Sequence, residues 1–383
     1  MRKNHLIPYG RQWIDRKDIQ EVIKTLKTDW ITQGPKVEEF EKAVAKYCGA
    51  KYAVVISSGT AALHAAYGVA GIGPGDEVIT TPLTFAATAN AVVYCGGRPV
   101  FVDIQENTLN IDPKEVEKKI TKRTRAIAPV DFAGHPCDYQ EILKIAKKYK
   151  LLVIEDAAHA LGSVYKEKKI GSFADMTILS FHPVKAITTG EGGMVLTNNK
   201  NFYEKLKIFR HHGVVKKPKM GGWYYEIENP GYNYRLTDFQ CALGLSQLRR
   251  LDKFIKRRRE IAMKYNRAFR NIKEIITPTE REYVQSAWHI YVIQLQIDKL
   301  KVNRKRIFKA LRKEGLGVQV HYIPLHLQPF YRKNFDYKTG DFPMAEKYYQ
   351  GAITLPLFPK MTNKDAERAI KVVKKTINLY RKV

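Results

Sequence analysis

The chain has few cysteines, no long apolar run and far fewer acidic than basic residues. Its 383 residues include four cysteines without any CxxC pair, so neither a disulfide framework nor a zinc ribbon is supported. No stretch approaches the roughly 18 consecutive apolar residues of a membrane-spanning helix. The charged start of the sequence also lacks the apolar core of a signal peptide. We therefore expect a cytoplasmic protein that does not associate with a membrane.

The shortage of acidic residues leaves a formal net charge of +28, from 66 Lys and Arg against 38 Asp and Glu. Such a balance is typical of proteins that bind nucleic acids. The basic residues are spread over many segments, however, and no recognisable nucleic-acid module is present. We expect no specific nucleic-acid partner and a lysine-rich surface that attracts an anionic substrate such as a diphosphate.

The pattern of apolar runs predicts an α/β fold. Short apolar runs alternate with amphipathic segments, which is typical of parallel strands joined by crossover helices in a doubly wound sheet. We expect a large domain with an N-terminal arm over residues 1–251 and a small α+β domain over residues 252–383. The predicted large-domain strands lie near 54–56, 78–80, 100–102, 126–130 and 152–154, with helices over 16–26, capped by Asp15, and 139–149. The small domain is predicted to have a helix over 253–269 and strands near 291–295 and 318–322.

An acid at a strand end and a lysine in an apolar setting point to pyridoxal phosphate. The apolar run Leu151–Ile154 is followed by Glu155 and then by Asp156. Lys185 follows the apolar run 176–181. The coenzyme needs a carboxylate to keep its ring nitrogen protonated and an amine to hold its aldehyde. Most lysines are solvated surface charges, and an acid after a strand often caps the next helix. The apolar surroundings of Lys185 and the spacing of the two residues favour the coenzyme.

A coenzyme phosphate also needs a binding site, and residues 53–64 have the form of a strand, a small polar turn and a helix. The free N–H groups and the positive dipole end of such a helix bind anions. Gly59 permits close approach, and the hydroxyls of Ser58 and Thr60 add donors. By contrast, the pairs His211–His212 and His321/His326 have no cysteine or carboxylate at ligand spacing, so we predict no metal site.

Four motifs, in this order, resemble those of the DegT/DnrJ/EryC1/StrS family of nucleotide-sugar aminotransferases, which have the aspartate-aminotransferase fold (fold type I of the pyridoxal-phosphate enzymes). They are Ser58-Gly59-Thr60, the segment Thr84-Phe85-Ala86-Ala87-Thr88, the segment 155–159 (EDAAH) and the segment 180–185 (SFHPVK). The similarity extends through residues 231–238 and 320–326 and covers nearly the whole chain. It implies a homodimer with shared active sites.

The resemblance also implies roles for individual residues. Lys185 would hold the coenzyme aldehyde as a Schiff base and act as the proton-transferring base, while Asp156 would pair with the ring nitrogen. The remaining coenzyme contacts would be Ser58, Gly59, Thr60, Phe85, His159 and Ser180, with Asn233 reaching the phosphate from the neighbouring subunit. Substrate contacts would fall on Tyr9, Asp29, Trp30, Ile31, Thr32, Ser58, Ser180, Asn233, His321, Tyr322, Ile323 and Pro324.

The opening segment 7–12 and the loop 29–35 resemble most the branch of the family that acts in pseudaminic acid biosynthesis. This resemblance implies transfer of an amino group from L-glutamate to C4 of a UDP-linked 4-keto-6-deoxy-N-acetylhexosamine, UDP-2-acetamido-2,6-dideoxy-β-L-arabino-hex-4-ulose. The alternatives are transamination of another nucleotide-linked 4-keto or 3-keto sugar, a sugar dehydratase, or a regulatory protein. The family's dehydratases replace the lysine with histidine, so Lys185 favours transamination.

Overall fold

The computed structural model describes residues 6–382, and a seven-stranded sheet forms its centre. The strands are β1 Tyr52–Ile56, β2 Glu77–Thr80, β3 Arg98–Phe101, β4 Thr124–Ala128, β5 Leu152–Asp156, β6 Val164–Tyr165, β7 Lys168–Lys169, β8 Met176–Ser180, β9 Gly193–Thr197, β10 Val214–Lys216, β11 Tyr225–Ile227, β12 Ile275–Ile276, β13 Val284–Gln285, β14 Tyr291–Leu295 and β15 Ala352–Leu355. The helices are α1 Arg16–Leu26, α2 Pro35–Cys48, α3 Gly59–Val69, α4 Ala86–Tyr94, α5 Pro113–Lys118, α6 Tyr139–Tyr149, α7 Lys200–Arg210, α8 Asp238–Leu248, α9 Leu251–Phe269, α10 Arg304–Lys313, α11 Pro329–Phe335, α12 Pro343–Gly351 and α13 Asn363–Tyr380.

The central sheet is mostly parallel. Its strand order is β1-β9-β8-β5-β4-β2-β3. Only β9 runs against its neighbours, pairing antiparallel with β1 and β8. The other pairs are parallel. The carboxyl ends of β1, β5 and β8 therefore meet at one edge of the sheet, where ligands bind in doubly wound folds. The predicted α/β core is confirmed, and all five predicted large-domain strands are present.

The sheet is buried on both faces, which explains its apolar strands. The strand interiors of β1, β5 and β8 are buried, as is β4 apart from the exposed Arg125. Helices α2 and α6 pack on one face, while α3 and α4 pack on the other. Helix α6 has the predicted bounds, Tyr139–Tyr149. Helix α1 begins as predicted after Asp15, whose side chain accepts the Asp18 N–H in a capping box.

A second, three-stranded sheet of order β12-β14-β15 packs against α9, α10 and α13. The predicted strand near 318–322 is wrong, because only Gln319 pairs with a neighbour, Thr354, in an isolated bridge. The chain then turns toward the central sheet, and Pro324 has no N–H to continue a ladder. The predicted boundary at residues 251–252 falls at the start of α9, and the two-domain division stays a prediction.

Within the described residues, no helix combines the length and apolar character needed to cross a bilayer. The same part of the chain holds no cluster of three or more His, Cys, Asp or Glu side chains suited to a metal ion. All four cysteines are free thiols. The cytoplasmic location and the absence of a metal stay predictions.

The N-terminal helix α1 is anchored through one buried carboxylate. Asp18 is fully buried and accepts hydrogen bonds from Ser246 Oγ at 2.6 Å and Gln247 Nε2 at 2.6 Å. It also pairs with the guanidinium of Arg250, which bonds Asp15 at 2.7 Å as well. A buried carboxylate with this many donors fixes the arm against α8.

We expect Asp18→Ala to lower the free energy of unfolding by about 2–4 kcal/mol, because it leaves the buried donors of Ser246, Gln247 and Arg250 without their acceptor. Urea unfolding followed by circular dichroism measures the change. Asp298→Ala, at an exposed site, is the control and should change stability by less than about 0.5 kcal/mol. Equal effects of the two substitutions would show that the Asp18 network contributes nothing specific.

Candidate active site

A cleft of about 360 Å³ opens at the carboxyl edge of the central sheet. Its volume is in the range of small-molecule and cofactor sites. Eleven of the predicted site residues line it, namely Tyr9, Ser58, Gly59, Thr60, Phe85, Asp156, His159, Ser180, Lys185, His321 and Tyr322. The structure therefore brings together residues that are up to 313 positions apart in the sequence, from Tyr9 to Tyr322.

The acid at the base of the cleft is Asp156, the last residue of β5. Its carboxyl group is buried and accepts hydrogen bonds from Thr88 Oγ1 at 2.6 Å and the Ala158 N–H at 3.1 Å. Burial raises the pKa of Asp156, while the Thr88 and Ala158 hydrogen bonds act in the opposite direction. A buried carboxyl group with two donors and no ion-pair partner among the described residues is suited to a cationic ligand group.

The lysine of the cleft lies in the loop between β8 and β9. This loop folds back on itself, since the Phe181 N–H donates to Gly192 O at 2.8 Å and the Lys185 N–H donates to His182 O at 2.9 Å. Lys185 is half-buried, and burial lowers its pKa to about 8, although the Asp156 carboxylate acts to raise it. A lysine with this pKa is partly a neutral amine near neutral pH, which is the form that attacks carbonyl groups.

The turn between β1 and α3 is shaped for an anion. Ser58 caps α3 by accepting the Ala61 N–H at 3.1 Å, and the first N–H groups of a helix have no partner inside it. A Cβ at Gly59 would lie 3.0 Å from Ser180 Cβ, so a side chain there would crowd the space between the turn and β8. The glycine therefore keeps an anion-binding concavity between Ser58, Thr60 and Ser180 open.

Three histidines surround the inner part of the cleft. The rings of His159 and His289 are 4.2 Å apart, and His159 Nε2 lies 3.2 Å from the Tyr322 hydroxyl. Burial lowers the pKa of His159 and of His289 well below the usual value, and lowers that of His321 to about 4. The imidazoles are therefore neutral near pH 7. The Nδ1 atoms of His159 and His289 are buried without a hydrogen-bond partner among the described residues, so they can serve a ligand or water.

Phe85 stands at the opening of the cleft. It precedes α4 as its N-terminal cap, and 60% of its surface is exposed. Its ring centroid is 6.0 Å from that of Tyr322. An exposed phenyl ring is costly in water unless a ligand covers it, so this position suits stacking on a flat ring.

Seven predicted site residues do not line the cleft of this chain. Asp29, Trp30, Ile31, Thr32 and Asn233 are exposed on another face, and Ile323 and Pro324 lie beyond the cleft wall. The loop that carries the first four is tied to the start of α8, since Asp238 N donates to Ile31 O at 3.0 Å. Asn233 forms an isolated bridge with His211 in the same region.

The structure adds functional residues that were not predicted. Thr88 lies behind the cleft lining and donates to Asp156; it belongs to the second motif, so its place in that motif was the available signal. Glu191 lines the cleft from the turn before β9, outside the four motifs. His289 has no recognisable motif around it. The other additions are Leu63, Thr84, Ala87, Val130, Ala158, His182 and Val184.

Residues 12–374 match the sequence profile of the DegT/DnrJ/EryC1/StrS aminotransferase family. The chain belongs to this family. It is 50% identical to an uncharacterised protein of Methanocaldococcus jannaschii, covering 99% of both chains. It is 46% identical to the spore coat polysaccharide biosynthesis protein SpsC of Bacillus subtilis, covering 97% of both. It is 43% identical to a UDP-4-amino-4,6-dideoxy-N-acetyl-beta-L-altrosamine transaminase of Campylobacter jejuni, covering 94% of this chain and 95% of the relative.

Solved structures agree with this membership. PseC of Helicobacter pylori, an aminotransferase of pseudaminic acid biosynthesis, superimposes with a TM-score of 0.93 at 35% identity, covering 98% of this chain and all of PseC. The pyridoxal-phosphate form of the sugar aminotransferase Spr1654 of Streptococcus pneumoniae gives 0.92 at 33% identity, covering 98% and 99% of the two chains. The predicted fold is thereby confirmed as that of the pyridoxal-phosphate aminotransferases.

This DegT/DnrJ/EryC1/StrS member is an aminotransferase whose coenzyme is pyridoxal phosphate. Its cleft fits that group on three observations. Asp156 is a buried acid with donors but no cation partner in the described ion pairs, and the concavity at Gly59 would be filled by a Cβ. His159 Nδ1 is a buried polar atom that has no hydrogen-bond partner within residues 6–382.

The pKa of Lys185 predicts a pH dependence for coenzyme capture. The amine is protonated below about pH 8 and neutral above it, so the rate of covalent capture by coenzyme-free protein should rise with pH and level off above about pH 8. Stopped-flow absorbance of the lysine-bound coenzyme measures the rate. Lys185→Ala is the control and should give no covalent band. A midpoint near the ~10.4 of a solvated lysine would contradict the role of burial.

Proposed function

We propose that this aminotransferase moves an amino group from L-glutamate to C4 of a UDP-linked 4-keto-6-deoxy-N-acetylhexosamine, in the biosynthesis of pseudaminic acid. The observation that carries the proposal is Lys185, with its lowered pKa, in one cleft with the buried acid Asp156. A dehydratase of this family lacks the lysine, and a regulator would not need a neutral amine at this position.

Six residues of the cleft would hold the coenzyme. The coenzyme, when bound, supplies an aldehyde that accepts amino groups and a ring that withdraws electrons. Asp156 would keep the ring nitrogen protonated, and Phe85 would stack on the ring. Ser58, Gly59, Thr60 and Ser180 would bind the phosphate through the turn and the dipole of α3.

Lys185 is the base that moves the proton at the reacting carbon. Its amine accepts a proton from the α-carbon of the donor and later gives a proton to C4 of the sugar. A pKa of about 8 keeps both protonation states accessible near neutral pH. Burial lowers the pKa of His159, whose Nε2 lies 3.2 Å from the Tyr322 hydroxyl, so His159 would contact the coenzyme as a neutral ring and add no second positive charge beside Lys185.

The sugar is inferred from relatives. The Campylobacter jejuni relative at 43% identity is named for a 4-amino-4,6-dideoxy-N-acetyl-altrosamine, and the PseC structure is described as belonging to pseudaminic acid biosynthesis. SpsC, at 46% identity, acts in the biosynthesis of a spore coat polysaccharide. Because the identity to SpsC is higher than that to the altrosamine transaminase, the second candidate function is amination of another nucleotide-linked keto sugar.

The substrate residues outside the cleft are accounted for if the enzyme is a homodimer with shared sites. Asn233 is exposed and bridges His211, which lies just before the β10–β11 hairpin, and Thr32 of the exposed loop 29–32 bridges Thr237. These segments expose large apolar side chains, among them Trp223 at 83%, Trp30 at 58% and Tyr225 at 58%. Exposed aromatic groups of this kind are typical of protein interfaces. We propose that these segments cover the cleft of a second copy and supply Asn233, Asp29, Trp30, Ile31 and Thr32 to it.

Ile323 and Pro324, the other two predicted substrate residues outside the cleft lining, lie next to the cleft of their own chain. Ile323 is 44% exposed and directly follows Tyr322, which lines the cleft. Pro324 is buried, and its carbonyl accepts the Leu327 N–H at 3.0 Å. We propose that Ile323 contacts the sugar nucleotide and that Pro324 acts by fixing the turn.

A half-reaction tests the substrate. Protein loaded with coenzyme and treated with L-glutamate should lose the visible absorption of the lysine-bound form. After removal of the donor, the UDP-linked 4-keto-6-deoxy-N-acetylhexosamine should restore this absorption and gain an amino group, as measured by mass spectrometry. Lys185→Ala should do neither, because it has no amine to transfer the proton.

Two other outcomes separate the candidates. If the protein reacts with L-glutamate but aminates only a nucleotide-linked keto sugar of another kind, the aminotransferase stands and the pseudaminic acid substrate is wrong. If L-glutamate leaves the absorption unchanged while L-glutamine removes it, the donor is wrong. Failure with every donor would refute transamination.

Mixing two inactive variants tests the shared site. If Asn233 acts across the dimer, Lys185→Ala and Asn233→Ala subunits should each be inactive, or nearly so, but their heterodimer should contain one native site. Random exchange of subunits should then restore about a quarter of wild-type activity. Exchange is checked by tagging one variant. A mixture that exchanges but stays inactive would place Asn233 in the cleft of its own chain.

A further inference from the structure

A cluster of buried oxygen atoms lies behind Asp156, outside the cleft. Tyr139 Oη lies 2.6 Å from Glu155 Oε1 and 2.7 Å from Asp131 Oδ1. All three side chains are fully buried. Each contact of this length between oxygens needs a hydrogen atom, and a phenol carries one. Two contacts therefore require a second proton, which must lie on one of the two carboxyl groups.

The other hydrogen bonds indicate which carboxyl group carries the proton. Asp131 Oδ1 also accepts the Cys137 N–H at 2.8 Å, so it behaves as an acceptor from two sides. Glu155 Oε2 accepts the Thr177 hydroxyl at 2.5 Å, so a proton on Glu155 would lie on Oε1 and be donated to Tyr139. The bonds then run in one direction, from Thr177 to Glu155, from Glu155 to Tyr139, and from Tyr139 to Asp131.

We propose that Glu155 is held as a neutral carboxylic acid directly behind Asp156 and is a positioning residue for it. Glu155 precedes Asp156 in β5, and alternation along the strand places the two side chains on opposite faces of the sheet. The cluster joins the ends of β4, β5 and β8, since Asp131 follows β4 and Thr177 lies in β8. The Asp131 N–H also donates to Asp156 O at 3.2 Å, and the Asp156 N–H donates to Pro129 O at 2.9 Å.

The charges around the cluster agree with one neutral acid. Asp131, Glu155 and Asp156 are three buried acids in adjacent segments, and the ion pairs of residues 6–382 contain no lysine or arginine bound to Asp131 or Glu155. Burial raises the pKa of both Asp131 and Glu155, and their mutual hydrogen bond raises the pKa of Asp131 and lowers that of Glu155. The choice of Glu155 as the neutral acid therefore rests on the Cys137 N–H, which Asp131 Oδ1 accepts. The remaining titratable neighbours, Tyr139 and Cys137, are neutral, because burial raises the pKa of each. The proton on Glu155 thus prevents a third buried negative charge beside Asp156.

Infrared spectroscopy of the coenzyme-free protein tests the proton directly. Wild type at neutral pH should show the C=O stretching band of a protonated carboxyl group, which shifts in D₂O. Glu155→Gln should remove the band and fold normally, because the amide oxygen accepts from Thr177 and the amide NH₂ donates to Tyr139. Asp131→Asn should keep it. A band that is absent from wild type, or lost in Asp131→Asn and kept in Glu155→Gln, would overturn the proposal, as would failure of Glu155→Gln to fold.

Coenzyme affinity tests the positioning, which rests on the proposed role of Asp156. Glu155→Gln should bind pyridoxal phosphate within about twofold of wild type, whereas Tyr139→Phe should bind roughly tenfold more weakly, because the buried Asp131 carboxylate loses a donor. A Tyr139→Phe protein that folds and binds pyridoxal phosphate like wild type would refute the positioning of Asp156 by this cluster. If Tyr139→Phe does not fold, weakened coenzyme binding by Glu155→Gln would refute this role instead. The infrared result needs no coenzyme or substrate, so it stands or fails separately from the aminotransferase reaction.

Discussion

A buried negative charge at the end of a parallel strand is the constraint on which the active site depends. Asp156 is removed from water by the sheet, and its carboxyl group is stabilised by one hydroxyl, Thr88, and one backbone N–H, that of Ala158. These donors are neutral, and the positive charge that acts on Asp156 is that of Lys185. The site is therefore complementary to a cationic ring nitrogen before any ligand arrives, as electrostatic preorganisation requires.

The surrounding groups keep that charge effective. Three imidazoles near Lys185, of which His159 and His289 are buried and His321 is half-buried, are neutral because removal from water lowers their pKa values. Lys185 gains or loses its positive charge near pH 8, because burial lowers the pKa of its amine. The buried acid Asp156 ends β5 and Lys185 lies in the loop after β8, so two groups of opposite charge face one cleft.

Much of this arrangement was predictable from the sequence. The strand before Asp156 and helix α6 follow from apolar runs and helical periodicity, which local composition determines. The choice of Asp156 and Lys185 as the two coenzyme residues follows from the chemistry of the coenzyme. The order of the motifs indicated the family. These features depend on residues that are close in the sequence or that carry unusual chemistry.

The remaining features depend on three-dimensional contacts. Val318–Tyr322 has the apolar composition of a strand, but tertiary packing directs His321 and Tyr322 into the cleft, and composition alone does not show this. His289 has no sequence signal, because its role arises from a ring contact with His159, which is 130 positions earlier. The proton count of the Asp131–Tyr139–Glu155 cluster requires interatomic distances.

The register of the antiparallel strand β9 determines the distance between β8 and the turn that joins β1 to α3. Its first residue, Gly193, pairs with Ile56 of β1 on one side and with Ser180 of β8 on the other. A Cβ at this position would lie 2.4 Å from Ser58 O. A slip of β9 by one residue would bring Met194 to this place and push the phosphate turn away from β8. The spacing between this turn and β8 is thus fixed by a strand register, at a residue that does not line the cleft.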